Sequence, residues 1–535
     1  MRPGDRERAR AEASSRVVDR HVQKALASPD GQLEQLINDT LYHERQRLER
    51  EPPDRSKREE LIFYQHVQRR GRRASTRELR ALLDEMARRF ADEIVGNFDE
   101  RVYRFATTVV PPGLTLLLSA MRPQTLGSLG SLDRSLSKRI HIQGSVDHLR
   151  ALISTGTVIV TPTHASHLDS IVLGYAMHLL GLPPLLYGAG INLFHNPLIS
   201  FFMNNLGAYR VDRKKSAALY KEVLKEYATV AVEMGYHNLF FPGGTRSRSG
   251  AIEMRLKKGL LGTGIDAFVK NLAAARPKPR VYIVPCTISY GLVLEAETLI
   301  DDYLKEVGKS RYIIEDDEFS RPARVLNFLG NIISLDGRVV LTFSPPLDVV
   351  GNDVDLDGRS LDPRGRIVDP AGYVLRDGAP VHDEQRDHEY TSELARRIGA
   401  AFLTDNVVMA THVVAAATLH ALTQSNPELD LYRLLSTGGS RSWIGASELA
   451  AEVQRLIDTL RKLPAGPRLD TALARRGAHE VIDDALRYFE TYHKLPALVR
   501  RGEQILHRDR SLLLYYAGRL RGYDLGRRLG FRFAA

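Results

Sequence analysis

The sequence predicts an α/β fold: a mostly parallel sheet flanked by helices, with helical N- and C-terminal regions around it. Two observations carry this reading. From about residue 139 to residue 348, short apolar runs rich in β-branched residues alternate with stretches of helical periodicity, the pattern of strand–helix–strand units. On either side of that span, apolar residues recur at three- and four-residue spacing among many charges, which is helical texture.

In chain order, residues 1–125 read as an N-terminal helical region. Leu33, Leu36, Ile37 and Leu41 mark one helix face, and Leu79, Leu82, Leu83 and Met86 another. Glu51-Pro52-Pro53-Asp54 interrupts the pattern as a linker or sharp turn. The basic run Arg69-Arg70-Gly71-Arg72-Arg73 reads as a solvated turn between helices. Residues 126–348 form the α/β domain. Its expected strands are Val158-Ile159-Val160, Leu185-Leu186-Tyr187, 238–241, 281–284 and 339–343, with a helix over 216–234. Residues 349–389 are rich in Gly, Asp and Pro and read as a surface excursion with short hairpins, partly disordered. Helical patterns return over 390–535, and no internal repeat is evident.

Composition narrows the partners. Against 65 acidic residues stand 75 Lys and Arg, giving a net charge of +10 and a pI near 9.5. An anionic partner is expected: nucleic acid, anionic lipid or a phosphorylated substrate. Aromatic residues do not interleave with the basic runs and no nucleic-acid-binding motif is present, so nucleic acid is set aside. The single cysteine, Cys286, rules out an intramolecular disulfide and suits a reducing compartment. The N-terminus has no apolar signal-peptide core. No run reaches the roughly 18 apolar residues of a spanning helix. Residues 105–121 are broken by Pro111-Pro112, and 407–422 carry His412 and His420. Both read as core, with interfacial attachment as the alternative.

Chemistry is expected at the carboxyl ends of the strands. His164 stands there, past the turn Thr161-Pro162-Thr163, with Asp169 five residues on, where a helical pattern begins (Ile171, Val172, Tyr175, Leu179). Such a carboxylate fixes the imidazole tautomer and stabilises its protonated form while the other ring nitrogen takes a proton. A later strand ends in Pro242-Gly243-Gly244-Thr245-Arg246-Ser247-Arg248-Ser249-Gly250. Its glycines allow close backbone approach, and its arginines and hydroxyls suit a phosphate; a solvated basic loop is the competing reading. Of the cluster Gly207-Ala208-Tyr209-Arg210-Val211-Asp212-Arg213-Lys214-Lys215, one arginine is expected to enter a site. Lys257-Lys258-Gly259 reads by default as charged helix surface. In Val284-Pro285-Cys286-Thr287-Ile288-Ser289-Tyr290 the proline suggests a sheet edge or bulge, and Cys286 reads as a buried small hydrophobe.

Four of these segments, in this order, resemble the blocks of the glycerol-phosphate acyltransferases, the glycerol-3-phosphate and dihydroxyacetone-phosphate acyltransferase branch. They are His164-Ala-Ser-His-Leu-Asp169, Gly207-Ala-Tyr-Arg-Val-Asp-Arg213, Phe241-Pro-Gly-Gly-Thr-Arg-Ser-Arg248 and Val284-Pro-Cys-Thr-Ile-Ser-Tyr290. The likeness reaches Leu294-Glu295 and the stretch from Asn406 to His412, covering roughly residues 140–425.

The resemblance implies transfer of a fatty acyl group from acyl-CoA or acyl carrier protein to glycerol 3-phosphate, giving lysophosphatidic acid. Dihydroxyacetone phosphate and 1-acylglycerol 3-phosphate are the alternative acceptors. In that scheme His164 is the general base and Asp169 its orienter, with His167 in a structural role. Arg213, Arg246 and Arg248 bind phosphate, Lys258 adds charge, and Gly243, Gly244 and Thr245 offer loop backbone. Neither a metal nor a cofactor is implied. Neither Cys286 nor Ser166 has an activating base beside it in sequence, so no acyl-enzyme is expected. The apolar stretch 193–203 is a candidate acyl-chain wall, membrane contact or plain core. Residence would be peripheral, on the cytoplasmic face of a membrane. The chain departs from the family at Gly243, where a glutamate is usual. This leaves acceptor identity, or activity itself, in question, with Glu253 as a candidate replacement and a lapsed phospholipid-binding protein as the rival outcome.

Overall fold

The N-terminal region is a set of packed helices: α1 (Pro3–Ala27), α2 (Gln32–Arg50), α3 (Arg55–Gly71), α4 (Thr76–Ile94) and the shorter α5 (Glu100–Thr108). The computed structural model describes residues 1–27, 31–50, 54–108, 140–194, 197–307, 338–490 and 493–530. Asp54, in the expected linker, caps α3 by accepting the Lys57 N–H at 2.9 Å. Ser75 and Glu78 close a reciprocal capping box on α4, which satisfies backbone donors that the first helical turn leaves open. Leu82, Leu83, Met86 and Phe90 are fully buried with Leu33, Ile37 and Leu41. Both expected helix faces therefore form one core.

The central sheet holds β1 (Ile140–Gly144), β2 (Thr157–Pro162), β3 (Leu186–Gly190), β4 (Ala208–Val211), β5 (Asn238–Leu239), β6 (Val281–Tyr290) and β7 (Val339–Phe343). Strands β2 to β6 are parallel in the spatial order β6-β2-β5-β3-β4. Strand β7 runs antiparallel to β6 and parallel to β1. Every residue of β2 and β6 is buried, as expected of strands covered on both faces, and hence their unbroken apolar runs. Around the sheet lie α6 (Val146–Thr155), α7 (Asp169–Leu179), α8 (Pro197–Asn205), α9 (Ala218–Glu233), α10 (Lys258–Leu261), α11 (Thr263–Ala273) and α12 (Ala296–Val307). Helices α1 and α4 pack across α9. Arg16 of α1 reaches Glu226 at 3.3 Å and Glu233 at 2.6 Å, so the N-terminal helices cover the β4 side of the sheet.

Three expectations need correction. The proline of β6 marks neither an edge nor a bulge, because β6 is an interior strand between β2 and its antiparallel neighbours. Pro285 falls where that neighbour changes, after Ile283 pairs with Leu347 and before Cys286 pairs with Phe343. Its missing N–H therefore interrupts neither antiparallel ladder. Secondly, the sheet does not stop at residue 348. It continues through β8 (Leu347–Asp348), β9 (Asp353–Val354), β10 (Ser360–Leu361) and β11 (Ile367–Val368) as an antiparallel meander. Thirdly, that meander does contain a short repeat, Asp-x-x-Gly at 355–358, 362–365 and 369–372. In the first two copies the aspartate Oδ1 accepts the N–H groups two and four residues on, while Oδ2 holds the arginine four residues on. The third aspartate accepts the Ala371 N–H and opens a 3₁₀ turn over Pro370–Tyr373. Self-capping turns of this kind order a segment whose composition resembles that of a loop.

The C-terminal region is built on α13 (Glu384–Asp405), α14 (Ala410–Ser425), α15 (Ala446–Arg461), α16 (Ala478–Phe489) and α17 (Arg510–Gly518). Helix α14 is surrounded by α15, α16 and α17, and all its residues from Ala410 to Thr423 are buried. The apolar stretch over 407–422 is thus core. A small antiparallel sheet of Trp443–Gly445, Gln504–His507 and Leu498–Arg501 lies in the same region, which helical periodicity alone did not suggest. Among the described residues no helix is long and apolar enough to cross a membrane. Residues 109–121 of the other apolar stretch lie outside the described residues.

Helix α17 meets the arginine-bearing loop backbone to backbone. A Cβ on Gly250 would lie 1.9 Å from the Tyr515 carbonyl oxygen, and one on Gly518 would lie 1.9 Å from that of Ser249. Gly250 also has φ +72°. Gly250→Ala is expected to destabilise the protein by about 2–3 kcal/mol, from left-handed strain and overpacking together. Denaturant unfolding measures this, and an unshifted midpoint would contradict the close approach.

Candidate active site

Strand β2 ends at Pro162 and α7 begins at Asp169, so the five-residue spacing brings His164 and Asp169 face to face across one turn. The His164 Nδ1 lies 2.8 Å from Asp169 Oδ2. Because an ionised carboxylate only accepts, Nδ1 carries the proton and Nε2 keeps its lone pair. Asp169 is fully buried, and its other bonds hold it still. Oδ2 also accepts the N–H groups of Ala165 (2.7 Å) and Ser166 (2.9 Å), and Oδ1 accepts the Tyr290 hydroxyl at 2.7 Å. Its place in the first turn of α7 favours the negative charge.

Burial pushes the His164 pKa below the ordinary histidine value. The bond to Asp169 opposes this only in part, and His167 and Arg246 add to the fall. The imidazole is therefore a neutral base near pH 7. Its ring stacks on Phe241, with centroids 3.9 Å apart and planes 19° apart. Its carbonyl accepts the Ser247 N–H at 2.8 Å, which stitches the arginine loop to the histidine turn.

A second acid organises the loop. Glu295, just before α12, is fully buried. It accepts the Ser166 hydroxyl at 2.8 Å and the His167 N–H at 3.0 Å, and it lies 3.3 Å from the Arg246 guanidinium. Arg246 is thereby tied to the turn that bears His164. Arg213 arrives from the end of β4. Surrounding protein and then the neighbouring Arg246 charge lower its pKa, although its side chain still reaches solvent. Among the described residues no carboxylate pairs with Arg213. Two guanidiniums within electrostatic range of each other, one of them with no carboxylate partner among the described residues, suit an anion.

The remaining candidates divide. Gly244 has φ +77°, and a Cβ there would lie 2.7–2.8 Å from the Lys257 side chain, including its Nζ. The lysine over the loop is thus Lys257, not Lys258. Lys258 Nζ instead lies 2.9 Å from both His388 Nε2 and Ser392 Oγ on α13, because adjacent residues at a helix start project in different directions. Arg248 turns outward to Glu306 at 2.6 Å in an exposed pair, and Thr245 is exposed. Gly243 has Glu253 beside it: a Cβ at 243 would lie 3.2 Å from Glu253 Cγ. Cys286 is buried and its thiol is pushed well above the usual range, so it is no nucleophile. Of the apolar stretch 193–203, Met203 is buried core and Phe201 is half exposed; Phe202 stacks with Phe105 of α5 at 6.5 Å.

Sequence reasoning did not give Tyr290, Glu295 or Lys257 a role. Glu295 left two signals, the family likeness that reaches Leu294-Glu295 and its place as an acid closing the apolar run Gly291-Leu292-Val293-Leu294.

A buried imidazole–carboxylate pair beside clustered guanidiniums at the end of a parallel sheet is the arrangement of a base-catalysed transfer to an anionic substrate. Residues 140–289 match the family model described as Acyltransferase, and this part of the chain is an acyltransferase domain. The relatives share one name. The chain is 25% identical over 432 residues to the glycerol-3-phosphate acyltransferase of Aeromonas hydrophila subsp. hydrophila, covering 80% of this chain and 44% of that protein. It is 32% identical over 232 residues to that of Haemophilus ducreyi, covering 42% and 26%. With that of Xylella fastidiosa it shares 28% identity over 213 residues, covering 39% and 22%. The chain thus spans less than half the length of these relatives. The resemblance read from four short segments is borne out.

Proposed function

We propose that the protein transfers a fatty acyl group from an acyl thioester, acyl-CoA or acyl carrier protein, to a hydroxyl of glycerol 3-phosphate, giving lysophosphatidic acid. The observation that carries this is a neutral, largely buried His164 whose Nδ1 is committed to Asp169, which leaves Nε2 to accept a proton, with Arg246 tied by Glu295 to the same turn and Arg213 close enough to Arg246 to feel its charge. His164 Nε2 takes the hydroxyl proton as the oxygen attacks the thioester carbonyl. Collapse of the tetrahedral intermediate breaks the C–S bond, and the thiolate takes the proton from the imidazolium. Asp169 holds the ring and stabilises its transient positive charge. Arg213, Arg246 and Lys257 bind the phosphate; Arg248 joins them by exchanging its exposed partner Glu306, a pair of little intrinsic strength. No metal or cofactor enters the scheme.

The test is one assay of the purified protein with labelled palmitoyl thioester against glycerol 3-phosphate, dihydroxyacetone phosphate and 1-acylglycerol 3-phosphate. Transfer to the first supports the reading. Preference for either of the others moves the acceptor, and phospholipid binding without transfer to any of the three identifies a lapsed enzyme.

Glu253 favours an active site despite Gly243. Its side chain approaches the space that a residue 243 side chain would enter, and it stands in for the missing acid on the acceptor's glycerol part. Glu253→Gln is expected to raise the acceptor KM about tenfold, the factor that ~1.4 kcal/mol gives. Unchanged acceptor affinity removes this role.

The protein is further proposed to reside peripherally on the cytoplasmic face of a membrane, drawn by its net charge of +10 to anionic lipid. Failure to bind anionic vesicles at low salt would count against that.

A further inference from the structure

Arg213 lies on a loop between Val211, the last residue of β4, and Ala218, the first of α9. Among the described residues no carboxylate holds the Arg213 side chain, and the Arg246 charge repels it, so the position of its backbone decides whether the guanidinium can reach the anion end of the site. The fixed point is Lys215, two residues on, whose side chain is only 3% exposed. Its amine faces three carboxylates, each from a different N-terminal helix: Glu93 of α4 at 2.5 Å, Glu44 of α2 at 3.5 Å and Glu60 of α3 at 3.8 Å. It also lies over the rings of Phe90 at 5.0 Å and Tyr220 at 5.7 Å.

Arg47 bridges Glu44 and Glu60, and Arg89 reaches Glu93 at 3.5 Å. Three acids thus meet three cations, and the cluster balances only with Lys215 in place. The next residue is anchored too, with Ser216 Oγ 3.0 Å from His43 Nδ1 of α2. Within the loop the Lys214 N–H donates to Asp212 Oδ1, the Lys215 N–H donates to the Asp212 carbonyl, and the Asp212 N–H donates to the Tyr220 hydroxyl. These bonds stiffen 212–215, so the anchor at Lys215 sets where Arg213 stands.

We propose that Lys215 is a positioning residue, held in an acidic pocket of α2, α3 and α4 so that Arg213 is presented beside Arg246 at the anion end of the site. The N-terminal helices then act on acceptor binding without touching the acceptor. The proposal rests on the reading that Arg213 binds the acceptor's phosphate.

The test is a double-mutant cycle on the full chain, reading kcat and the KM for glycerol 3-phosphate at saturating thioester. Lys215→Met is expected to raise that KM about tenfold with kcat nearly unchanged, Arg213→Ala to raise it at least as much, and the double variant to be no worse than Arg213→Ala alone, the non-additivity of residues acting through one another. Lys215→Arg should restore most of the affinity. If Lys215→Met does not fold, Glu93→Gln, which removes a half-exposed partner, is expected to give the same effect at smaller size. A wild-type KM in Lys215→Met (or in Glu93→Gln, where it replaces it), or effects that multiply in the double variant, overturn the proposal. Should the wild type acylate no phosphate-bearing acceptor, the functional reading fails separately. Titration with inorganic phosphate then decides the anchor: weaker binding by Lys215→Met upholds it and equal binding overturns it.

Discussion

His164→Ala is expected to lower kcat by on the order of 10²–10⁴-fold, the usual worth of a positioned general base, with thioester binding retained. The loss should fall on the chemical step alone, because in the proposed reaction the imidazole meets the reacting hydroxyl while Arg213 and Arg246 hold the phosphate. Near-normal turnover with measurable thiol release would defeat the assignment. The pH profile gives an independent check. Protonated His164 cannot act as a base, so activity rises with pH through its pKa in the free enzyme. Burial lowers that pKa, so the acid limb of kcat/KM should lie below the ordinary histidine value of about 6.5. A limb above that value would mean that Asp169 outweighs burial. Asp169→Asn should be nearly as damaging as loss of the histidine: an amide can donate to Nδ1, which permits the tautomer with its proton on Nε2, the atom that must accept.

What could be read from the sequence follows the range of the interactions. The histidine and its carboxylate are five residues apart on one turn, so their pairing is local and legible. The strands β2, β6 and β7 were visible because burial on both faces leaves unbroken apolar runs, whereas β3, only partly buried, was legible at its start alone, in Leu186 and Tyr187. β5 was visible too, though the ladder keeps only Asn238 and Leu239 of the expected 238–241. The contacts of Tyr290 with Asp169 and of Glu295 with Ser166 and His167 were not legible, since each spans more than 120 residues. Choosing Lys258 over Lys257 failed for a different reason: which of two adjacent lysines faces a loop depends on where the helix starts. The roles of the flanking regions were invisible for the same reason as Glu295. Lys215 reaches its acids, and Gly250 meets Tyr515, only once the chain is folded. Over 349–389 the expected short hairpins are present; composition misled only in suggesting partial disorder and a sheet that ends at 348, since the Asp-x-x-Gly turns that look like loop carry the sheet onward.

Glu295→Ala is the change expected to damage both stability and function. The side chain is fully buried and serves three donors at once: the Ser166 hydroxyl, the His167 N–H and the Arg246 guanidinium. Removing it strips the hydroxyl and the amide of their acceptor and takes a countercharge from a largely buried arginine. Loss of one partner from a buried pair typically costs about 3–5 kcal/mol, and the low end applies because the Arg246 side chain keeps 20% exposure. Glu295→Gln, which keeps the shape and one acceptor oxygen, should cost less and separate packing from charge. Function should fail in a way that differs from His164→Ala. Arg246 is tied to the histidine turn through Glu295, so its release should raise the acceptor KM more than it lowers kcat. Thermal unfolding with and without glycerol 3-phosphate distinguishes the two cases, since a ligand that binds the native state raises the transition. The His164 variant should keep that acceptor-dependent shift, and the Glu295 variant should lose most of it. A Glu295→Ala protein with wild-type stability and a wild-type acceptor shift would show that Arg246 does not depend on this carboxylate. The phosphate end of the site would then have to be assigned to Arg213 and Lys257 alone.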